Sequence, residues 1–188
     1  MGHHTSRFVA FDCETTGLEA DARIIELAAV RVDVPTGIVV ARWRTLVNPE
    51  VPIPAAATSV HGITDAMVRE APTIAEALRE FLAFMARGPA VAHHARYDVQ
   101  RLTFEAQRAG VALPGNVPVY CSIDASRVAF PGEPSRGLLN LARTLGLPRE
   151  GASHRAGGDA ALVVQLMLRC FAAAPRDLTG YAPAVGSL

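Results

Sequence analysis

No lysine occurs in this chain. All 18 basic side chains are arginines, which excludes a lysine nucleophile. Cysteine is scarce as well: Cys13, Cys121 and Cys170 are odd in number, far apart and set among apolar neighbours. That pattern fits reduced core thiols rather than disulfides or a zinc site, and a cytoplasmic location is the expectation. An excess of charge is missing too, since 18 acidic groups balance the 18 basic ones. No net positive field announces a nucleic-acid partner, so a phosphate ligand would have to be handled locally. No stretch approaches the ~18 apolar residues of a membrane span, and the first residues lack the apolar core of a signal peptide. No membrane partner is expected. His3 and His4 are set aside from the chemistry.

What is present is a chain of 188 residues, half of them hydrophobic, broken often by glycine and proline. This is enough to bury a core without staples. A single domain over residues 1–174 is expected, followed by a short, loose tail at 175–188.

Residues 8–18, Phe-Val-Ala-Phe-Asp-Cys-Glu-Thr-Thr-Gly-Leu, organise the rest. The apolar run predicts a buried strand, and it ends in two acids, Asp12 and Glu14, two positions apart and therefore on one face. Burying two like charges costs several kcal/mol per ion, as an order of magnitude, without a compensating cation. Oxygen-only ligands suit Mg²⁺ or Mn²⁺ rather than zinc. Thr15-Thr16-Gly17 then supplies a turn whose backbone can approach a ligand closely. The same spacing also fits a strand end at which both acids are merely hydrated.

Residues 23–34 and 38–47 read as two further strands joined by a turn at Pro35-Thr36-Gly37, an antiparallel meander. Glu26, a strand acid among apolar neighbours, reads more naturally as the partner of an arginine than as a third ligand. His61, beside Gly62 in a connection, is either a ligand contact or a solvated loop residue. Thr73 and Glu76 form a capping box, opening a helix whose stripe of Ile74, Ala77, Leu78, Phe81, Leu82 and Met85 belongs in the core. Residues 90–94 read as a short strand, so that His93 and His94 face opposite ways and cannot chelate one metal together. A helix is expected over 95–109, stopped by Gly110. Asp98 lies in its first turn, where the helix dipole alone would favour an acid. A fifth strand is expected at 118–123, with Asp124 as N-cap of the next helix, and a further helix at 137–145. After a loop at 146–153, a last, largely apolar helix opens at His154-Arg-Ala-Gly-Gly-Asp159. Two glycines in a helix start cost about 1 kcal/mol each relative to alanine, which points to a close backbone approach there.

Asp12, Glu14, Asp98, His154 and Asp159 thus all fall where elements begin or end, the part of an α/β fold that carries its site. Four segments in this order resemble the DEDDh 3'-to-5' exonucleases, the group that includes the epsilon proofreading subunit of bacterial DNA polymerase III, ribonuclease T and oligoribonuclease. They are Asp12-Cys13-Glu14-Thr15-Thr16-Gly17, His61-Gly62-Ile63, His93-His94-Ala95-Arg96-Tyr97-Asp98 and His154-Arg155-Ala156-Gly157-Gly158-Asp159-Ala160. The likeness spans residues 8–171. His94 stands where asparagine is usual, and Cys121-Ser122 replaces the Asp-Thr often found on the fifth strand.

The resemblance implies an α/β, ribonuclease H-like fold, a mixed five-stranded sheet flanked by helices. It implies two divalent ions, Mg²⁺ or Mn²⁺, held by Asp12, Glu14, Asp98 and Asp159, with His154 as the general base. It also implies that Thr15 and Leu18 contact the 3'-terminal nucleotide, with His61 nearby. The activity so implied is hydrolysis of single-stranded nucleic acid, or of a frayed 3' end, to nucleoside 5'-monophosphates. DNA is favoured over RNA because the spacing around His61 resembles that of the epsilon subunits. A DNA polymerase subunit is a candidate partner, although the short tail offers no amphipathic docking helix and favours a free-standing nuclease. The alternatives are an exoribonuclease of RNA processing and a catalytically silent nucleic-acid-binding module.

Overall fold

The computed structural model describes residues 6–149 and 154–188; His3, His4 and the later part of the expected 146–153 loop lie outside the described residues. Strand β1, Arg7–Thr15, lies in the middle of a six-stranded sheet and is paired on both edges. On one side it runs antiparallel to β2, Ile24–Asp33, which pairs antiparallel with the edge strand β3, Ile38–Leu46. On the other it runs parallel to β4, Ala90–Ala92. Next comes the parallel β5, Pro118–Cys121, and then the antiparallel β6, Gly186–Ser187.

Alternation along β1 divides the core into two layers. Val9, Phe11 and Cys13 face helices α3, Ile74–Met85, and α4, Ala95–Ala109. Phe8 and Ala10 face α7, Ala156–Ala173. With both faces covered, β1 and β2 read as nearly unbroken apolar runs. Short helices α1, Ala55–His61, and α2, Asp65–Val68, follow, and Ile63 between them and Val68 of α2 pack against Ile25 of β2. Helices α5, Ser122–Ala129, and α6, Leu138–Thr144, complete the layer around α7. Among the described residues α7 alone is long and apolar enough to cross a membrane. Ten of its residues are buried, as a central core helix requires.

The capping box at Thr73 is formed: Glu76 N–H donates to Thr73 Oγ1, and Thr73 N–H to the Glu76 carboxylate. Gly110 ends α4 in the left-handed conformation, φ 63°.

Four expectations are corrected. The segment 175–188 is not a loose tail: Leu178, Tyr181 and Leu188 are buried, and residues 186–187 add the sixth strand to a sheet expected to have five. The strand expected at 90–94 stops at Ala92, because His94 adopts φ 62° and turns the chain into α4. Left-handed backbone is tolerated best by Gly, Asn, Asp and His, which gives the histidine standing in the usual asparagine position a backbone reason. The fifth strand ends at Cys121 rather than Ile123. Asp124 is therefore inside the first turn of α5 and pairs with Arg127 at 2.7 Å, while Cys121 occupies the N-cap.

Candidate active site

Asp12 and Glu14 leave the C-terminal half of β1 on the face covered by α7, and the first turn of α7 brings Asp159 to them. One ligand atom from each of Asp12, Glu14 and Asp159 lies within 4.8 Å of the others. Asp159 is buried, and its Oδ1 has no hydrogen-bond partner. A buried carboxylate oxygen without a donor is costly. It is the kind of lone pair that a hard divalent cation takes.

Asp98 stands outside this tight trio, in the first turn of α4, fully enclosed. Its Oδ1 accepts the Cys13 thiol at 3.3 Å. It still belongs electrostatically to the group, being the largest charge contribution to the rise in the Asp12 pKa.

The acids bear the mark of uncompensated burial. Asp12 is held well above the usual carboxylate range by desolvation and then by Asp98 and Glu14. Desolvation, with Asp159 and Glu26 adding to it, pushes Glu14 up to about 8. Asp98 rises to about 7, again through burial, against the pull of its hydrogen bonds. Asp159 rises through burial, with His154 and Arg149 working the other way. Like charges crowded at low dielectric cannot all ionise without a cation. The donor set therefore fits divalent ions with oxygen preference.

Glu26 is directly opposite Glu14 in the β1–β2 register, yet it is not part of the trio. Arg155 holds it at both oxygens, Nη2 to Oε1 at 2.7 Å and Nε to Oε2 at 3.1 Å. The expectation of an arginine partner is met.

His154 is exposed, with φ 53°, immediately before Arg155. It precedes Asp159 in the segment that opens α7, and it works against the rise in the Asp159 pKa. His61 closes α1 and is buried; its Nδ1 accepts Ile63 N–H at 3.0 Å, so Nε2 carries the proton in the neutral ring and has no partner. Burial lowers its pKa, the Thr15 main chain partly offsetting the effect. Leu18 is 85% exposed, free to meet a ligand, whereas Thr15 is buried. The Thr15 hydroxyl donates to Gly17 O at 2.7 Å and meets Tyr97 Oη at 2.9 Å.

Three residues that sequence reasoning did not single out organise the site. Tyr97 donates to Gly17 O at 3.0 Å, tying α4 to the turn. Arg101, one turn further along α4, donates to the carbonyls of Glu19 and Ala20 at 2.9 and 2.8 Å and fixes the rest of that loop. Arg155 is the third. The adjacency of Tyr97 to Asp98 and of Arg155 to His154 was the only signal available. Gly157 answers the question of the glycine-rich helix start: a Cβ there would sit 3.0 Å from Arg44 Cδ, so glycine lets the β3 arginine cross the first turn of α7.

Comparison with known proteins agrees with this geometry. The sequence model of a family described as exonuclease, RNase T, matches residues 9–167. A DNA polymerase III subunit epsilon-like protein of Rhodobacter capsulatus is 39% identical over 165 residues, covering 86% of this chain and 23% of that protein. The DNA polymerase III subunit epsilon of Aquifex aeolicus is 34% identical over 164 residues, covering 86% of this chain and 79% of that one. Among solved structures, exonuclease X in complex with 5' overhanging duplex DNA superimposes with a TM-score of 0.74 at 26% identity, covering 93% of this chain and 97% of that one. The nuclease domain of 3'hExo, a DEDDh family member bound to rAMP, shares the fold with a TM-score of 0.80 at 17% identity, covering 92% and 94%.

Proposed function

The chain belongs to the RNase T exonuclease family, and from that membership we propose that it is a metal-dependent 3'-5' exonuclease. It removes nucleoside 5'-monophosphates from the 3' end of single-stranded or frayed DNA. The observation that carries the reading is the trio of Asp12, Glu14 and Asp159 within 4.8 Å, with a buried Asp159 oxygen left unpartnered. Asp12, Glu14 and Asp159 would hold divalent metal, Mg²⁺ or Mn²⁺, with Asp98 contributing from the Asp12 side. Two such ions, when bound, supply charge stabilisation to the attacking and leaving oxygens of an in-line displacement.

The protein's own groups do the rest. His154, which is exposed, takes the proton of the attacking water, a role for which an imidazole is suited. Leu18 offers an apolar surface for the terminal base, held in place through the Tyr97 and Arg101 anchors of its loop. His61, buried beside the Thr15 main chain, backs the turn near the terminal nucleotide. The 175–188 segment packs on the same core and is taken as part of one exonuclease unit.

DNA is preferred over RNA in this reading because the relatives above 30% identity carry DNA polymerase names and exonuclease X is seen with DNA. A polymerase partner and a cytoplasmic setting are proposed on the same relatives. Digestion of 5'-labelled DNA and RNA strands of one sequence, with Mg²⁺ or Mn²⁺, tests the proposal. A ladder shortening from the 3' end of DNA, absent in chelator and in Asp12→Ala, is expected. Faster shortening of RNA would transfer the reading to an exoribonuclease. A wild-type chain that neither binds Mn²⁺ nor cleaves would be a silent binding module.

A further inference from the structure

Helix α7 starts without a cap of its own: its N-cap residue is Arg155, whose side chain makes no capping bond. A helix start leaves backbone N–H groups unpaired, and a buried start must find acceptors elsewhere. Here the acceptor comes from another strand. Glu26 Oε2 receives the N–H of Ala156, the first helical residue, at 2.9 Å, while the same carboxylate holds the Arg155 guanidinium at both oxygens. Glu26 is fully buried, so the carboxylate at the centre of this three-point grip is shielded, while the Arg155 side chain is 24% exposed. The backbone of residue 155 supports the first helical turn in its own right, its carbonyl accepting the N–H of Gly158 at 2.9 Å and of Asp159 at 3.0 Å.

We infer that the Glu26–Arg155 pair is the positioning device of the site, fixing residue 155 and through it both the reach of His154 and the place of Asp159 beside Asp12 and Glu14. The two groups flank residue 155 directly, one before it in a left-handed conformation and one a helical turn after it. Glycines at 157 and 158 give the turn little stiffness of its own, so its geometry is imposed from β2. Arg44, whose Nε lies 4.0 Å from Glu26 Oε1, adds charge to the grip but no hydrogen bond. Neither Glu26 nor Arg155 is assigned contact with metal or substrate; both act through their neighbours.

This inference rests on the exonuclease reading, and its test has an arm independent of cleavage. Arg155→Lys keeps the charge that buried Glu26 needs but cannot bind both carboxylate oxygens in a planar fork. Glu26→Gln keeps an acceptor for Ala156 N–H and loses the ion pair. Each full-length variant is titrated with Mn²⁺ by thermal shift, and kcat and KM are measured on 5'-labelled single-stranded DNA. Groups that orient ligands from behind typically change metal affinity or activity about 10- to 100-fold. Arg155→Lys should therefore melt cooperatively in chelator, weaken Mn²⁺ about tenfold and lower kcat by more than about tenfold, with KM within about threefold. The double variant should be no worse than the worse single one, because the pair acts as a unit. A folded Arg155→Lys with wild-type Mn²⁺ affinity and kcat would overturn the inference, as would a loss confined to KM. If the wild type binds Mn²⁺ but cleaves nothing, the exonuclease reading fails while the affinity arm still decides the positioning role. If it binds no Mn²⁺, both fall.

Discussion

Replacing Glu14 by glutamine should stabilise the metal-free protein while destroying its response to metal. Burial and neighbouring acids raise the Glu14 pKa from 4.5 to about 8. The folded-state value is above the unfolded one, so the group imposes no cost at low pH and an increasing cost as pH rises. Between pH 4.5 and 8 the unfolded chain releases the proton that the folded chain retains, and stability falls throughout that window. At 1.36 kcal/mol per unit, the interval from 4.5 to 7 corresponds to about 3 kcal/mol. Relaxation among the coupled acids will reduce this, so about 1–3 kcal/mol is the expected gain for Glu14→Gln at pH 7. For a domain of this size each kcal/mol moves Tm by roughly 2–4 °C. The variant should thus melt about 2–12 °C higher in chelator, with the gap closing towards pH 5. Saturating Mn²⁺ should reverse the order: at a hundred times Kd the wild type gains about 2.7 kcal/mol, whereas the variant gains little. A Glu14→Gln protein less stable than wild type in chelator, or a gap that does not change with pH, would refute the view that burial and neighbouring acids hold Glu14 protonated in the metal-free protein.

His93 provides the opposite pH signature. It is locked between Ser122 Oγ and Arg136 O, both at 2.8 Å, and burial lowers its pKa to about 4; a depressed histidine costs nothing above about 6.5 and destabilises progressively as pH falls towards 4, so urea unfolding should show wild type losing about 2 kcal/mol against His93→Gln between pH 7 and 5. Deleting residues 175–188 removes Leu178, Tyr181, Leu188 and the β6 pairing. At about 1.5–3 kcal/mol for each large apolar side chain, the shortened protein should unfold at far lower urea, or not fold; an unchanged midpoint would restore the segment to a loose tail.

The parts of the fold that were legible in the sequence are those with dense local signals. The end of β1 announced itself through two acids after an apolar run, α3 through its capping box, and α4 through its glycine stop. What escaped depends on partners distant in sequence. Two residues, Gly186 and Ser187, have no strand pattern; they pair because Val185 N–H reaches Val119 O at 2.7 Å and Leu188 N–H reaches Val117 O at 2.9 Å. Residues 90–94 read as strand because β propensity is apolar and local, while the turn at His94 is imposed by docking α4 so that Asp98 reaches the acids. An arginine partner for Glu26 was legible as a need, but not as Arg155, 129 positions away.

That pair also explains why two glutamates in matching positions serve different ends. Glu14 and Glu26 face each other across β1 and β2, and like charges directly opposite repel. The first turn of α7 brings one guanidinium to this edge, and it takes Glu26, leaving Glu14 with Arg155 only as a distant offset. Asp159 has His154 and Arg149 as offsets, neither strong enough to cancel its burial. The Asp12 pKa is raised by burial and by Asp98, Glu14, Asp159 and Glu26, all of them acids. The fold has therefore neutralised the one acid that holds the backbone and left unneutralised the acids that point at one another. Such a division is costly in a protein that never meets a cation there, and self-consistent in one whose resting state is filled by divalent metal. Saturating Mn²⁺ should accordingly abolish most of the pH dependence that chelated wild type shows between pH 5 and 8, and a metal-loaded protein that keeps that dependence would break the link between the strained acids and their proposed ligand.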